Sequence, residues 1–191
     1  MSKTFKLFSV AVIVVIIATC FGVIIIKVFG NKKSMTTQNQ LKNNQIVITS
    51  SVFKNNSLIP SKYTCDGDNI SSSLEISGVS ELAKSLVLIV DDPDAPSGLW
   101  THWIVWNIDP KLKKIAERAQ NIGVEGVGSS GKIGYDGPCP PSGTHRYFFK
   151  LYALDTELNL EPNSKVYDLN LAMDKHIVGL AEFIGLYSRK K

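Results

Sequence analysis

A loop rich in glycine and proline, together with the strand that follows it, holds the densest group of chemically active side chains in this sequence. The loop covers residues 134–144, contains three prolines, and is followed by His145 and Tyr147. Proline fixes φ and removes an amide donor, whereas glycine lets backbone N–H groups turn inward toward a ligand. Residues two apart in a strand share a face, so His145 and Tyr147 lie side by side. The pattern predicts a rigid rim with converging polar groups.

Carboxylates and a second histidine stand at two further predicted strand ends. A β-branched run ends abruptly in Asp-Asp-Pro-Asp-Ala-Pro at 91–96, and His102 stands near the start of the next apolar run. Proline cannot continue a central strand, so the chain turns there with Asp92 and Asp94 at the tip. Each residue alone is equally explained as an ordinary turn or edge residue. Together with His145 they form a candidate site.

The residue types limit what such a site can do. Imidazole N–H and phenol O–H groups donate hydrogen bonds, which suits phosphate, acetate or a phospholipid headgroup. A carboxylate beside an imidazole keeps the ring protonated or in one tautomer. A hydrolase needs a serine on a constrained elbow, and no Gly-x-Ser-x-Gly occurs. A metal enzyme would use His102, His145 and Asp92, although the sequence has no local His-x-x-x-His pair.

The elements that position these residues are predicted to be mostly short strands, a pattern that fits a sandwich or a barrel. A closing helix is also predicted, with Asp168 as its N-cap, because apolar residues recur at spacings of three and four. The predicted strands are 46–48, 52–53, 74–76, 86–90, 102–108 and 147–154. The apolar helix positions are Leu169, Ala172, Met173, Ile177, Leu180, Ala181 and Ile184.

Several groups of residues carry a family likeness. They are Tyr-Thr-Cys-Asp-Gly at 63–67, Asp-Pro-Asp-Ala-Pro at 92–96, His-Trp at 102–103, Gly-Tyr-Asp-Gly-Pro-Cys-Pro-Pro at 134–141 and His-Arg-Tyr at 145–147. In this order and spacing, from about Val47 to Arg189, the sequence resembles the phosphatidylethanolamine-binding protein (PEBP) family, in its bacterial Raf-kinase-inhibitor-like branch. The resemblance implies a mainly β fold, a Greek-key β-sandwich of antiparallel sheets with a C-terminal helix.

The same resemblance implies a ligand-binding protein rather than an enzyme, with no catalytic residue, metal or cofactor. Its pocket is expected to bind a small anion or phospholipid headgroup of the phosphate type, with modulation of a partner protein as a further role. The family name also suggests an alternative, inhibition of a kinase or protease. The matching ligand-binding residues are Asp92, His102, Gly137, Pro138, His145 and Tyr147, with Asp94 and Tyr135 at the rim. Arg146 is expected to pair with an acid of the Asp-Pro-Asp turn.

Two cysteines fall in the loops that carry the resemblance. Cys65 and Cys139 are expected to be neighbours, because both loops border the proposed pocket. They would form a disulfide in an exported domain, which meets an oxidising compartment. Two cysteines are equally compatible with free buried thiols.

The N-terminus predicts a membrane anchor. Leu7–Ile26 is a run of 20 residues without charge, long enough for a helix to cross the hydrocarbon core of a bilayer. The run continues past its only small-residue cluster, so an uncleaved anchor is preferred to a signal peptide. Lysines flank the run on both sides, and the short tail before it favours export of the long domain after it. The expected location is therefore a single-pass membrane protein with an extracytoplasmic domain.

Charge and composition divide the chain into three predicted parts. They are an anchor at 1–30, a polar linker at 31–45 and a PEBP-like domain at 46–191. Residues 1–45 carry six lysines and no acid, so residues 46–191 carry a net −2 of the whole chain's +4. The domain has no basic stripe interleaved with aromatic residues, which argues against nucleic-acid binding.

Overall fold

Short strands dominate the computed structural model, which describes residues 45–189. One α-helix, α1 (Val166–Met173), interrupts them late in the described sequence, and a short 3-10 helix covers Ser61–Tyr63. The strands are β1 (Val47–Thr49), β2 (Ser57–Leu58), β3 (Leu74–Ser77), β4 (Ser85–Asp92), β5 (Trp100–Ile108), β6 (Lys114–Ile115), β7 (Val124–Glu125), β8 (His145–Leu154) and β9 (Ile177–Tyr187).

The strands form two sheets. The smaller sheet has the order β1-β3-β6, and the larger has the order β2-β9-β8-β4-β5-β7. Apolar residues of both sheets share one buried cluster, so the sheets pack face to face. The mainly β fold with a C-terminal helix is therefore as the sequence predicted.

Strand β4 is buried on both faces because a layer packs on each of them. Leu88 and Val90 belong to the cluster shared with the smaller sheet, whereas Val87 and Ile89 belong to a second cluster that includes residues of α1. Successive side chains of a strand point to opposite faces, which explains this alternation. The strand therefore holds its last residue, Asp92, on a rigid support.

The predicted closing helix is wrong beyond its first two turns. Asp168 lies inside the first turn, where its Oδ2 accepts a hydrogen bond from the Lys165 N–H at 3.0 Å, and is not the N-cap. The helix ends at Met173, and Lys175 has a φ of +67°, which turns the chain back toward the sheet. The 11 residues from Ile177 then form β9 and pair with β8. The apolar residues of β9 happen to continue the helical spacing of three and four. The local pattern does not show that this segment pairs with β8.

Two other expectations about strands need correction. Residues 52 and 53 form no strand, although Phe53 is a core residue. Strand β2 pairs parallel with β9, so the larger sheet is not wholly antiparallel.

The predicted anchor at Leu7–Ile26 and almost all of the linker at 31–45 lie outside the described residues. Among residues 45–189, no helix has the length and apolar character needed to cross a membrane. The domain limits at 30 and 45 stay predictions.

Candidate ligand-binding site

Three strand ends meet at one end of the larger sheet, because β4 is antiparallel to both of its neighbours. Asp92 ends β4, His102 lies near the start of β5, and His145 begins β8. All three line one cavity of about 360 Å³. The structure thus brings together the three residues on which the predicted site depended.

Asp92 fixes both its own turn and the ring of His145. Its Oδ1 accepts the backbone N–H of Asp94 at 2.8 Å, and its Oδ2 lies 2.7 Å from Nδ1 of His145. Both side chains are buried, at 5% and 8% exposure. A carboxylate accepts, so Nδ1 of His145 carries the hydrogen, and Nε2 is the ring nitrogen left for a ligand.

His102 is held by a backbone carbonyl instead of a carboxylate. Its Nδ1 lies 2.7 Å from the carbonyl oxygen of Asp136, which can only accept, so Nδ1 carries the hydrogen. Burial lowers the pKa of His102, against the opposing effects of this hydrogen bond and of the Asp92 charge. The ring is therefore neutral near pH 7 and has a lone pair at Nε2. This Nε2 is buried, and no group of the described residues bonds to it.

Tyr147 lies behind His102, not in the cavity wall. The two rings pack edge to face with centroids 5.2 Å apart, and Tyr147 is fully buried. Its hydroxyl also lacks a hydrogen-bond partner within residues 45–189. Burial, and then the Asp92 carboxylate, raise the pKa of Tyr147, so the phenol keeps its proton.

A set of contacts that we call the loop latch ties the cavity loop to the loop before β3. The Tyr135 hydroxyl donates to the Tyr63 carbonyl oxygen at 2.7 Å, and the Gly137 N–H donates to Oδ1 of Asn69 at 2.7 Å. Burial, followed by a neighbouring acid, raises the pKa of Tyr135. Tyr135, expected at the pocket rim, is therefore a latch residue.

Glycine is required at position 137 by the closeness of the other loop. A Cβ there would lie 2.5 Å from Oδ1 of Asn69 and 2.7 Å from the Tyr63 carbonyl oxygen. The amides nearby are already engaged, because the Asp136 N–H donates to the His102 carbonyl oxygen at 3.1 Å. The glycine amides of this loop were expected to turn toward a ligand, but the Gly137 N–H is bonded to Asn69 instead.

The third part of the loop latch is covalent. Cys65 and Cys139 form a disulfide with their Cα atoms 5.4 Å apart. Beside it, the Cys65 N–H donates to the Pro138 carbonyl oxygen at 3.1 Å. Cys139 also lines the cavity, so the latch forms part of the wall.

Asp94 is engaged outside the cavity wall. Its carboxylate accepts from Nε of Arg146 at 2.9 Å and from Nη2 at 2.7 Å, and also from the Arg146 backbone N–H. This is the pairing that the sequence predicted for Arg146. Hydrogen bonds from Arg146 lower the pKa of Asp94 to about 2. Asp94 therefore fastens the turn after β4 to β8.

The sequence analysis did not identify the remaining residues of the cavity wall, although all of them lie next to the motifs that carry the family likeness. Prolines of both loops and a tryptophan at the start of β5 were the available signals. Of the predicted ligand-binding residues, Pro138 and Tyr147 are outside the wall. The missed wall residues are Ala95, Pro96, Ser97, Trp100, Asp136, Pro140 and Pro141.

A metal site was one alternative for these side chains. Within the described part of the chain, no group of three or more His, Cys, Asp or Glu residues is arranged to hold a metal ion. Asp92 and His145 bond to each other, and His102 bonds to a carbonyl.

Comparisons with known proteins agree with this fold. The family model described as phosphatidylethanolamine-binding protein matches residues 49–188. A UPF0098 protein of Methanothermobacter thermautotrophicus is 53% identical over 143 residues, covering 72% of this chain and 95% of that protein. A UPF0098 protein of Chlamydia trachomatis is 47% identical over 147 residues, covering 74% and 98%.

Solved structures show the same fold. A crystal structure of a PEBP homologue from Chlamydia trachomatis superimposes with a TM-score of 0.75 at 46% identity, covering 77% of this chain and 99% of that one. YbcL of E. coli, described as a new member of the mammalian PEBP family, gives a TM-score of 0.71 at 30% identity, covering 76% and 99%. The chain therefore belongs to the phosphatidylethanolamine-binding protein family.

Proposed function

We propose that this protein binds a small anion of the phosphate type in the cavity, either free or as the headgroup of a phospholipid. The observation that carries the proposal is the buried Asp92–His145 pair on the cavity wall, 2.7 Å between Oδ2 and Nδ1. The pair holds the ring so that Nε2 is available to a ligand. A protonated ring donates there, and a charge-assisted hydrogen bond to an anion is about twice as strong as a neutral one.

The test is a calorimetric titration of the full-length chain, kept in maltoside detergent, with inorganic phosphate. In His145→Asn, the side-chain amide keeps a donor beside Asp92 but has no Nε2. We expect phosphate affinity to fall by about 10- to 150-fold, which corresponds to about 1.5–3 kcal/mol for one charge-assisted bond.

His176→Asn is the matched control. His176 is an exposed histidine bonded to Asp155 at 2.9 Å and is outside the cavity wall. Its substitution is expected to leave phosphate affinity unchanged. Equal affinity in His145→Asn and the unaltered chain would contradict the proposal.

Membrane tethering is a separate part of the proposal and rests on the apolar run Leu7–Ile26. The anchor holds the domain at the outer side of a membrane. Cell fractionation and protease protection of intact cells test this, with the domain expected in the membrane fraction and open to external protease. After deletion of residues 1–44, we expect the domain to move into the soluble fraction.

The proposed protein binds its ligand without converting it, and it has modulation of a partner protein as a further role. The hydrolase alternative would use the same Asp92–His145 pair as an oriented base. Hydrolysis of an activated ester by the full-length chain, abolished in His145→Asn, would favour that alternative. Inhibition of an added kinase or protease, unchanged in the same variant, would favour action through the protein surface.

A further inference from the structure

Within the described residues, the acidic side chains on the cavity wall are not matched by basic ones other than histidine. Two carboxylates, of Asp92 and Asp136, belong to this wall, and no lysine or arginine of residues 45–189 does. Three wall residues are prolines, which have no N–H. The N–H groups of Asp136 and Gly137 are already bonded to other protein groups.

His102 adds an acceptor to this wall. It is 5% exposed, and its Nδ1–H is bonded to the Asp136 carbonyl oxygen at 2.7 Å. Nε2 is therefore the ring nitrogen without a hydrogen, and this buried atom has no bond to any group in the described sequence. Burial lowers the pKa of His102, which agrees with a neutral ring and a lone pair at Nε2. A buried acceptor without a partner is unfavourable, and a ligand that donates to it removes that cost.

The charges around His102 disfavour a ligand with two negative charges. Asp92 on β4 and Asp136 on the cavity loop contribute carboxylates, and His145 on β8 contributes at most one positive charge. Nearby Asp91 is already neutralised by Lys150 at 3.1 Å. Within residues 45–189, the Asp136 carboxylate accepts a hydrogen bond from the Asn69 amide at 3.5 Å and pairs with Lys132 at 3.9 Å. The Lys132 side chain is 72% exposed, so its charge is well screened. The Tyr147 phenol is neutral, since burial raises its pKa.

We infer that the cavity selects a ligand bearing its own hydrogen-bond donor, and, among phosphate-type groups, the singly ionised monoester. Its P–O–H donates to Nε2 of His102, and its anionic oxygens accept from Nε2–H of His145. A phosphodiester lacks that proton and satisfies Nε2 of His102 only through a donor elsewhere in its headgroup, such as an ammonium. The inference rests on the proposed function and specifies its ligand class.

Two probes of equal charge isolate the donor. Methyl phosphate at pH 5.5 is mainly a monoanion with one O–H, because its second pKa is about 6. Dimethyl phosphate is a monoanion without an O–H. With the full-length chain in maltoside detergent, we expect methyl phosphate to bind about tenfold more tightly at pH 5.5. The ratio of the two affinities falls below one at pH 8, because about 99% of methyl phosphate is then the dianion, whereas dimethyl phosphate keeps a single charge.

His102→Asn tests the acceptor, since its amide keeps a donor beside the Asp136 carbonyl oxygen but lacks Nε2. The preference for methyl phosphate is expected to disappear in this variant and to persist in His176→Asn. Should His102→Asn fail to fold, ¹⁵N chemical shifts of the unaltered chain decide the tautomer. A hydrogen on Nδ1 of His102 supports the inference, and a hydrogen on Nε2 overturns it.

Glycerophosphoethanolamine separates the two sources of the donor. Binding tighter than that of dimethyl phosphate assigns the donor to the ammonium of a lipid-type headgroup, whereas binding as weak as that of dimethyl phosphate leaves the free monoester. Equal affinity for methyl and dimethyl phosphate at pH 5.5 overturns this inference and leaves the proposed function standing. Binding of none of the three probes overturns both.

Discussion

Two polar regions lie side by side at one end of the larger sheet and use their polar groups in opposite ways. In the loop latch, the Tyr135 hydroxyl and the Gly137 N–H both have protein partners at 2.7 Å. At the cavity, Nε2 of His102 has none within the described residues, and neither has the hydroxyl of Tyr147, which packs behind His102. Each buried unpaired group lowers the free energy of unfolding by about 1–3 kcal/mol. The loop latch therefore stabilises the fold, whereas the unpaired groups at the cavity destabilise it.

The two regions can therefore be tested by different measurements, unfolding for the loop latch and ligand binding for the cavity. Substitutions in the loop latch are expected to lower the free energy of unfolding while leaving the ligand preference of the folded protein in place. Substitutions at unpaired cavity groups are expected to change binding with little effect on unfolding. A loop-latch substitution that changes ligand preference, or a cavity substitution that lowers the free energy of unfolding, would show that the two regions are coupled there.

The largest effect is expected from removing the disulfide of the loop latch. The double variant Cys65→Ser, Cys139→Ser opens a cross-link between residues 74 apart in sequence. The chain-entropy model gives a loss of about 4 kcal/mol in the free energy of unfolding, measured by urea denaturation. The hydrogen bonds from Tyr135 and Gly137 remain, so the folded fraction should bind phosphate within about threefold of the unaltered chain. An unchanged urea midpoint would refute the stabilising role.

A smaller loss is expected from Gly137→Ala. The added Cβ meets Oδ1 of Asn69 at 2.5 Å and a backbone oxygen at 2.7 Å, so the two loops must separate. Such overpacking lowers the free energy of unfolding by about 1–3 kcal/mol, measured in urea. Gly131→Ala is the matched control, since Gly131 has a φ of +82° and nothing within 4 Å of its Cβ position. It is expected to lose only about 1 kcal/mol, for its backbone conformation.

Equal losses for the two glycine variants would mean that the close approach at residue 137 relaxes without cost. The loop latch would then be looser than its distances indicate.

The Asp94–Arg146 contact extends the paired region to the turn after β4, and pH isolates its contribution. The pKa of Asp94 is about 2 in the folded chain, below its ordinary 3.8. A lowered pKa gives stability that is present above pH 3.8 and is lost as pH falls through about 2. Asp94→Asn is expected to lower the free energy of unfolding by about 1 kcal/mol at pH 7. In urea titrations between pH 4 and pH 2, the difference should shrink, and a constant difference would contradict this origin.

The contrast between the loop latch and the cavity also shows which features of the site can be predicted from the sequence. Asp92, His102 and His145 were predictable because each stands at a strand end, where strand direction alone decides which residues meet. The acceptor role of His102 was not, because it depends on one carbonyl, that of Asp136, turning toward Nδ1. Backbone orientation inside a loop leaves no mark in residue type. The bond from the Gly137 amide to Asn69 was not predictable for the same reason.

The error at β9 has a related cause. Ile177, Ala181 and Ile184 fit a helical spacing, but Ala181, Phe183 and Tyr187 fit a strand equally well. The choice between them is made by pairing with β8, a contact about 30 residues away in sequence. Local periodicity cannot contain that information, whereas the family likeness implied the correct overall class of fold.

The smallest effect on stability, and the most direct test of the comparison, is expected from Tyr147→Phe. Tyr147 and Ser72 are both buried and both have a hydroxyl without a partner among residues 45–189, but only Tyr147 packs against a cavity residue, His102. Removing either hydroxyl relieves an unpaired group, so Tyr147→Phe and Ser72→Ala should each change the free energy of unfolding by about 0 to +1 kcal/mol. Phosphate affinity, measured by calorimetry, should fall about three- to tenfold in Tyr147→Phe and stay constant in Ser72→Ala. If both variants bind phosphate like the unaltered chain, the unpaired hydroxyl behind His102 marks a packing compromise and takes no part in binding.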